Sequence, residues 1–222
     1  MEIQYYTDYE AKHLILEAGR RAYARGFVSG NEGNISCRVG KNAVWITPTG
    51  QSKGYLNEQM LVKLDLDGNK LGGELDASSE ALMHLGVYKT HPGIRVVFHA
   101  HPSTATAFSC CVKEIPADLH PETIATYGRT IKVIPFGMPG SSELPTQVTK
   151  YVIGNRAALL ENHGALTWGE DMKTVYFTME TLEAYCNLYL KAHYMIGGEH
   201  SISESAFADL NQWYEMMDEE LK

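Results

Sequence analysis

The run Arg95-Val96-Val97-Phe98-His99-Ala100-His101-Pro102 reads as a buried β-strand that ends in a pair of imidazoles. Val96, Val97 and Phe98 form an unbroken apolar stretch, as expected of a strand inside a sheet. Residues two apart in a strand project from one face, so His99 and His101 can reach a single ion at the roughly 2.0–2.1 Å usual for Zn–N. Pro102 stops the hydrogen-bond ladder and leaves that end open. A His-x-His pair also occurs without a metal, so the pair needs company before it carries chemistry.

Outward from this strand the chain alternates helix and strand, with helices at both ends. Residues 8–26 place Leu14, Ile15, Ala18, Ala22 and Tyr23 on one helical face, ended by Gly26. A short strand, Val44-Trp45-Ile46-Thr47, runs into the turn-rich Pro48-Thr49-Gly50. Residues 62–66 alternate at period two before the hairpin signal Asp67-Gly68. Ser78-Ser79-Glu80 opens a helix to about His91, stopped by Pro92-Gly93. Further on, the sequence predicts a helix over 104–111, a strand over 132–134, a helix over 143–151 and a strand over 157–160. The longest helix spans 171–196 and is closed by Gly197-Gly198. Helices flanking a sheet make this an α/β chain with a three-layer α/β/α architecture. No linker, repeat or charge block divides residues 1–222, so one domain is expected. No GxGxxG or GxxxxGKS opens a helix after a strand, which removes the main support for a dinucleotide-binding Rossmann fold or a P-loop NTPase.

With 222 residues, 44% of them hydrophobic, the chain can bury one substantial core. Nineteen basic against twenty-seven acidic residues give a net charge of -8. That balance argues against nucleic acid as a partner but leaves room for an anion in a local pocket. No apolar stretch approaches the roughly 20 residues of a membrane helix, and Met1-Glu2-Ile3-Gln4-Tyr5-Tyr6 lacks the basic flank of a secretion signal. A cytoplasmic protein without a membrane partner is expected. Cys37, Cys110, Cys111 and Cys186 fall in no CxxC spacing and are expected as reduced thiols packed like small apolar residues.

His163 stands at the end of the apolar strand over 157–160, in Asn162-His163-Gly164. Two strand ends at one sheet edge would supply three imidazoles; the plainer reading is a histidine bonded within its own turn. Most of the other histidines read as surface or helix-packing residues. Glu80 lies in the first helical turn, where the helix end favours an anion; the plainer reading is a capping glutamate. Three segments of small polar residues, Gly30-Asn31-Glu32-Gly33-Asn34-Ile35-Ser36, Thr47-Pro48-Thr49-Gly50 and Ser78-Ser79, could each be an ordinary turn or cap. Together they offer the close backbone N–H groups, hydroxyls and helix N-terminus of a phosphate pocket.

Gly33-Asn34-Ile35-Ser36, Thr47-Pro48-Thr49-Gly50, Ser78-Ser79-Glu80, His99-Ala100-His101-Pro102 and Asn162-His163-Gly164 occur in one order. In that order they resemble the class II sugar-phosphate aldolase and epimerase family, over nearly the whole chain. The resemblance implies a largely antiparallel central sheet and a homotetramer with active sites between subunits. It implies a Zn(2+) ion held by His99, His101 and His163, with Glu80 as a fourth ligand that also serves as base. Gly33, Asn34, Thr49, Gly50, Ser78 and Ser79 map onto the family's phosphate site. A further acid/base comes from the neighbouring subunit after Ile115-Pro116-Ala117: Glu122 by the alignment of Ile124-Ala125 and Gly128, with His120 as the alternative. Tyr214 matches a C-terminal tyrosine donor, or is simply a tyrosine on an amphipathic helix.

The activity so implied is zinc-dependent retro-aldol cleavage of an L-fuculose 1-phosphate-like ketose 1-phosphate to dihydroxyacetone phosphate and a short aldehyde. The alternatives within the family are an L-ribulose-5-phosphate 4-epimerase type, a 5-deoxyribulose- or rhamnulose-1-phosphate aldolase, and a methylthioribulose-1-phosphate dehydratase. A metal-storing or sugar-phosphate-binding module without catalysis is the reading from another class. Glu80 beside a full histidine set argues against it.

Overall fold

The computed structural model describes residues 3–220, with side chains for residues 3–212. Helix α1 (Asp8–Ala24) starts where the sequence supplies a capping box. The Thr7 hydroxyl accepts from the Glu10 backbone N–H, and the Glu10 carboxylate accepts in return from the Thr7 N–H. Its buried stripe is Ala11, Ile15, Ala18 and Ala22, and Gly26 follows the helix end as expected.

Nine strands then form one sheet: β1 (Asn34–Gly40), β2 (Ala43–Ile46), β3 (Val62–Asp65), β4 (Lys70–Gly72), β5 (Val96–Ala100), β6 (Glu114–Pro116), β7 (Thr130–Ile134), β8 (Ala157–Leu160) and β9 (Gly164–Gly169). Their order is β4-β3-β2-β1-β5-β9-β8-β7-β6. Only β7 and β8 run parallel, so the sheet is largely antiparallel.

Strand periodicity sorts two cores. Val96, Phe98 and Ala100 of β5 face α1, α3 (Ser103–Ser109) and α6 (Met172–Tyr189). Val97 faces the other way, into a second cluster with α2 (Ala81–Thr90) and α5 (Glu143–Val152). Helices on both sides of a sheet give the three layers expected. Beyond α3, the short α4 (Pro121–Tyr127) packs near α7 (Glu204–Glu220).

The structure departs from the sequence reading in four places. Asn34-Ile35-Ser36, expected within a loop, begins β1. Ile35 and Cys37 enter one core, while Asn34, Ser36 and Arg38 are polar yet buried on the opposite face, which hides the usual alternation. Strands β6 and β9 and helix α4 lie where the sequence reading offers no element. The helix expected over 171–196 keeps α-geometry to Tyr189 and winds as a π-helix over Leu190–Ile196 before the glycine stop. No cysteine is bonded to another, and Cys37 and Cys186 are buried, but Cys110 and Cys111 are exposed. They follow the end of α3, past the face that buries Ala105 and Phe108. Among the described residues no helix is long and apolar enough to cross a membrane.

Candidate metal centre and active site

Strand β5 pairs His99 with Asn34 of β1 on one side and with Leu166 of β9 on the other. Because Val97 faces the α2 layer, His99 two residues on faces it too, and its ring is fully buried. His101 lies one step past the strand, where its backbone N–H donates to the Phe27 carbonyl at 2.9 Å. The turn between β8 and β9 brings in the third imidazole. Asn162 takes a left-handed φ of 55°, and the His163 N–H donates to the Leu160 carbonyl at 3.0 Å. Gly164 lets this turn close on the strand end: a Cβ there would lie 2.5 Å from His101 Cδ2 and 2.7 Å from the Ala100 carbonyl oxygen. The three ring centroids stand 4.7 to 5.1 Å apart, and one nitrogen from each ring lies within 4.8 Å of the others.

Glu80 occupies the N-cap position of α2 but makes no side-chain capping bond. Its carboxylate turns inward instead, with Oε2 3.4 Å from His99 Nε2 and Oε1 3.3 Å from His163 Nε2. The capping alternative therefore does not describe it.

This donor set fits a divalent cation. His99 Nδ1 lies 2.9 Å from the Ala165 carbonyl, which can only accept, so the proton is on Nδ1 and Nε2 turns a lone pair toward the cluster. His99 Nε2 is 3.0 Å from His101 Nε2, close to the roughly 3.3 Å between nitrogens on a tetrahedral zinc. Burial first, and then the neighbouring imidazoles, push His99 well below the ordinary histidine range. Burial also lowers His101, helped by His163. Neutral rings are the ligating form. Glu80 Oε1 is buried and receives no hydrogen bond. A cation among these atoms would satisfy that oxygen and the converging lone pairs together.

Behind Glu80 lies a polar line that the sequence reading missed. Asn34 Nδ2 donates to Glu80 Oε2 at 2.9 Å, and Asn34 Oδ1 is 2.5 Å from His84 Nε2. Ser36 Oγ is 2.7 Å from both His84 Nδ1 and the Tyr88 hydroxyl. His84 is fully buried on α2, on the helix-packing side of the two readings offered for it. The available signal was its place four residues after Glu80, on the same helix face.

The three small-residue segments also come together. The Thr47 N–H donates to the Ile35 carbonyl, and the Ile35 N–H donates to Thr47 Oγ1. The Ser78 N–H donates to the Thr47 carbonyl, and the Thr49 N–H to that of Asp76. Within this cradle Thr49, Gly50 and Ser79 are exposed. Ser78 is buried, with its Oγ accepting from the Glu80 N–H at 3.3 Å, and both polar ends of the Asn34 amide are turned inward. Gly33 has a φ of 74°, and a Cβ there would lie 2.9 Å from the His99 carbonyl oxygen. Lys53, another residue the sequence reading passed over, is buried beneath the cradle. Its ammonium donates to the carbonyls of Asn31 and Gln51, tying the first segment to the chain after the second. Burial pulls its pKa down to about 8, against the opposing influence of Glu32 and Glu80.

His120 and Glu122 pair with each other at the start of α4, Nδ1 to Oε2 at 2.7 Å, both well exposed. Among the described contacts neither reaches the histidine cluster of its own chain. Tyr214 lies on α7, but its side chain is outside the described residues.

With fold and cluster in place, the chain belongs to the family of the class II aldolase and adducin N-terminal domain, whose model matches residues 13–190. A 3-oxo-tetronate 4-phosphate decarboxylase of Haemophilus influenzae is 35% identical over 187 residues, 82% of this chain and 88% of that protein. An L-fuculose phosphate aldolase of Methanococcus maripaludis is 36% identical over 166 residues, 75% of this chain and 88% of that protein. A solved L-fuculose 1-phosphate aldolase superposes with a TM-score of 0.85 at 28% identity, covering 93% of this chain and 96% of the other.

Proposed function

We propose that the chain is a metal-dependent lyase that removes CO2 from a short phosphorylated 3-oxo acid of the 3-oxo-tetronate 4-phosphate kind. The observation that carries the lyase reading is the convergence of His99, His101, His163 and Glu80 beside the exposed small residues Thr49, Gly50 and Ser79. The choice of a carboxylate as the leaving portion is supported by the decarboxylase relative, which aligns over 82% of this chain.

The bound cation, for which we infer zinc, supplies Lewis-acid polarisation of the substrate carbonyl. The chain's own residues do the rest. Gly33, Thr49, Gly50 and Ser79 hold the phosphate away from the reacting bond, which supplies positioning. Ser78 and Asn34, mapped to the same site by sequence, act on it through Glu80. When the bond to the carboxylate breaks, its electron pair stays on the carbon next to the carbonyl, and CO2 leaves. That carbon then needs a proton, and Glu80 Oε1, the oxygen without a hydrogen-bond partner, is placed to take one from water once it has left the cation and to pass it on.

Aldol cleavage of a ketose 1-phosphate is the second reading, favoured by the aldolase relative at 36% identity. Both reactions keep the same three-carbon fragment, dihydroxyacetone phosphate; the departing electrophile is CO2 in one and an aldehyde in the other. Aldol cleavage additionally needs a base for the departing hydroxyl. We assign that role to Glu122, with His120 paired to it, reaching the site of a neighbouring subunit in a homotetramer. Tyr214 is the remaining donor candidate. A phosphorylated substrate supports a cytoplasmic location.

The test is to incubate the metal-loaded protein with 3-oxo-tetronate 4-phosphates and with a panel of ketose 1-phosphates. Dihydroxyacetone phosphate with equimolar CO2 from the oxo acid is the expected result. Dihydroxyacetone phosphate with an aldehyde and no CO2 selects the second reading, and neither product from any substrate removes both.

A further inference from the structure

The line behind Glu80 has a direction, and bond donors fix it. The Asn34 amide donates from Nδ2 to Glu80 Oε2, which leaves Oδ1 to face His84. Oδ1 only accepts in turn, so His84 carries its proton on Nε2. Burial holds the ring neutral, at about 3. Nδ1 is then an acceptor and takes the Ser36 hydroxyl proton, while the Tyr88 hydroxyl, 2.9 Å from the Ser36 carbonyl and 2.7 Å from Ser36 Oγ, closes the far end. Asn34, Ser36, His84 and Tyr88 are all buried, so water offers no alternative partner.

We propose that His84 is a positioning residue: through Asn34 it pins one oxygen of Glu80, Oε2, and so leaves the other, Oε1, to exchange between the cation and a proton. The proposal rests on the reading of Glu80 as the proton-handling group and adds what makes its two oxygens unequal. Without the His84 donor the Asn34 amide can rotate, and Glu80 loses the contact that orients it.

Two measurements test this. Nitrogen-resolved NMR of the imidazole rings in the wild-type protein should find His84 neutral and protonated on Nε2; a ring protonated on Nδ1, or on both nitrogens, overturns the line whatever the substrate proves to be. Kinetics then follow on the metal-loaded protein with 3-oxo-tetronate 4-phosphate. His84→Leu should lower kcat by about 10–100-fold, the range for residues that orient metal-site groups, with KM within about threefold. His84→Gln, which keeps a donor for Asn34, should recover most of the loss. A folded His84→Leu protein with wild-type kcat, or a His84→Gln protein no better than His84→Leu, overturns the role. If the wild-type protein turns over no substrate, the proposed function fails, and the NMR result alone decides the line.

Discussion

His84 and Lys53 are buried ionisable groups whose pKa values burial pulls down, and each leaves a signature in stability against pH. The His84 ring is held at about 3 in the fold against an ordinary 6.5. Between those values the unfolded chain binds the proton and the native ring does not. The stability His84 lends is therefore whole above about 6.5 and drains away as pH falls toward 3. Metal-free protein should lose denaturant resistance across that window, and His84→Gln should lose less of it than the wild type. Lys53 works in the other direction along the scale. Its folded value of about 8 lies below the ordinary 10.5, so the cost of burying the charge is fully present below pH 8 and is relieved as pH rises. Unfolding midpoints should rise from pH 8 to 10 in the wild type relative to Lys53→Met; parallel curves for the two proteins would show that the ammonium is not buried in the way described.

At the level of elements, the site exists because two strand ends and one helix start meet. The β8–β9 turn can close on β5 only because residue 164 lacks a Cβ, which would otherwise strike His101 and the Ala100 carbonyl. Gly164→Ala should destabilise the fold by about 1–3 kcal/mol, the usual cost of forced overpacking, and weaken metal binding by displacing His101. Thermal melts and metal titration of the variant check both effects. These same elements explain what could be read from the residues. The apolar run before His99 and the one before His163 named both strands, and period two aimed His99 and His101 to one side. Glu80 was legible from its place at a helix start. The β1 strand was not, because Asn34, Ser36 and Arg38 put polar groups at buried positions, where periodicity expects apolar ones. His84 and Lys53 escaped for a related reason: their meaning lies in partners 50 and 22 residues away in sequence, Asn34 and Asn31. For His84 the place four residues after Glu80 was the one spacing signal; the contacts themselves leave no trace in spacing along the chain.

For the whole molecule, one claim extends past a single chain's geometry. Among the described contacts the exposed His120–Glu122 pair does not reach the histidine cluster of its own chain, and the catalytic part proposed for it requires a neighbouring copy. In an assay of aldol cleavage, the reaction for which Glu122 is assigned, mixing unfolded Glu122→Ala and His99→Ala proteins and refolding them together should then restore activity, to about a quarter of the sites when the two chains assemble at random. Each variant alone should stay inactive, and a mixture that also stays inactive removes the shared-site assignment. The central claim is that His99, His101, His163 and Glu80 hold one divalent ion. The most direct measurement is the metal stoichiometry of the wild-type chain beside His163→Ala, with circular dichroism confirming that both are folded. About one ion per wild-type chain is expected, with its loss from the variant; a folded wild-type protein that binds no divalent ion, or a variant that binds it equally tightly, rules the shared site out.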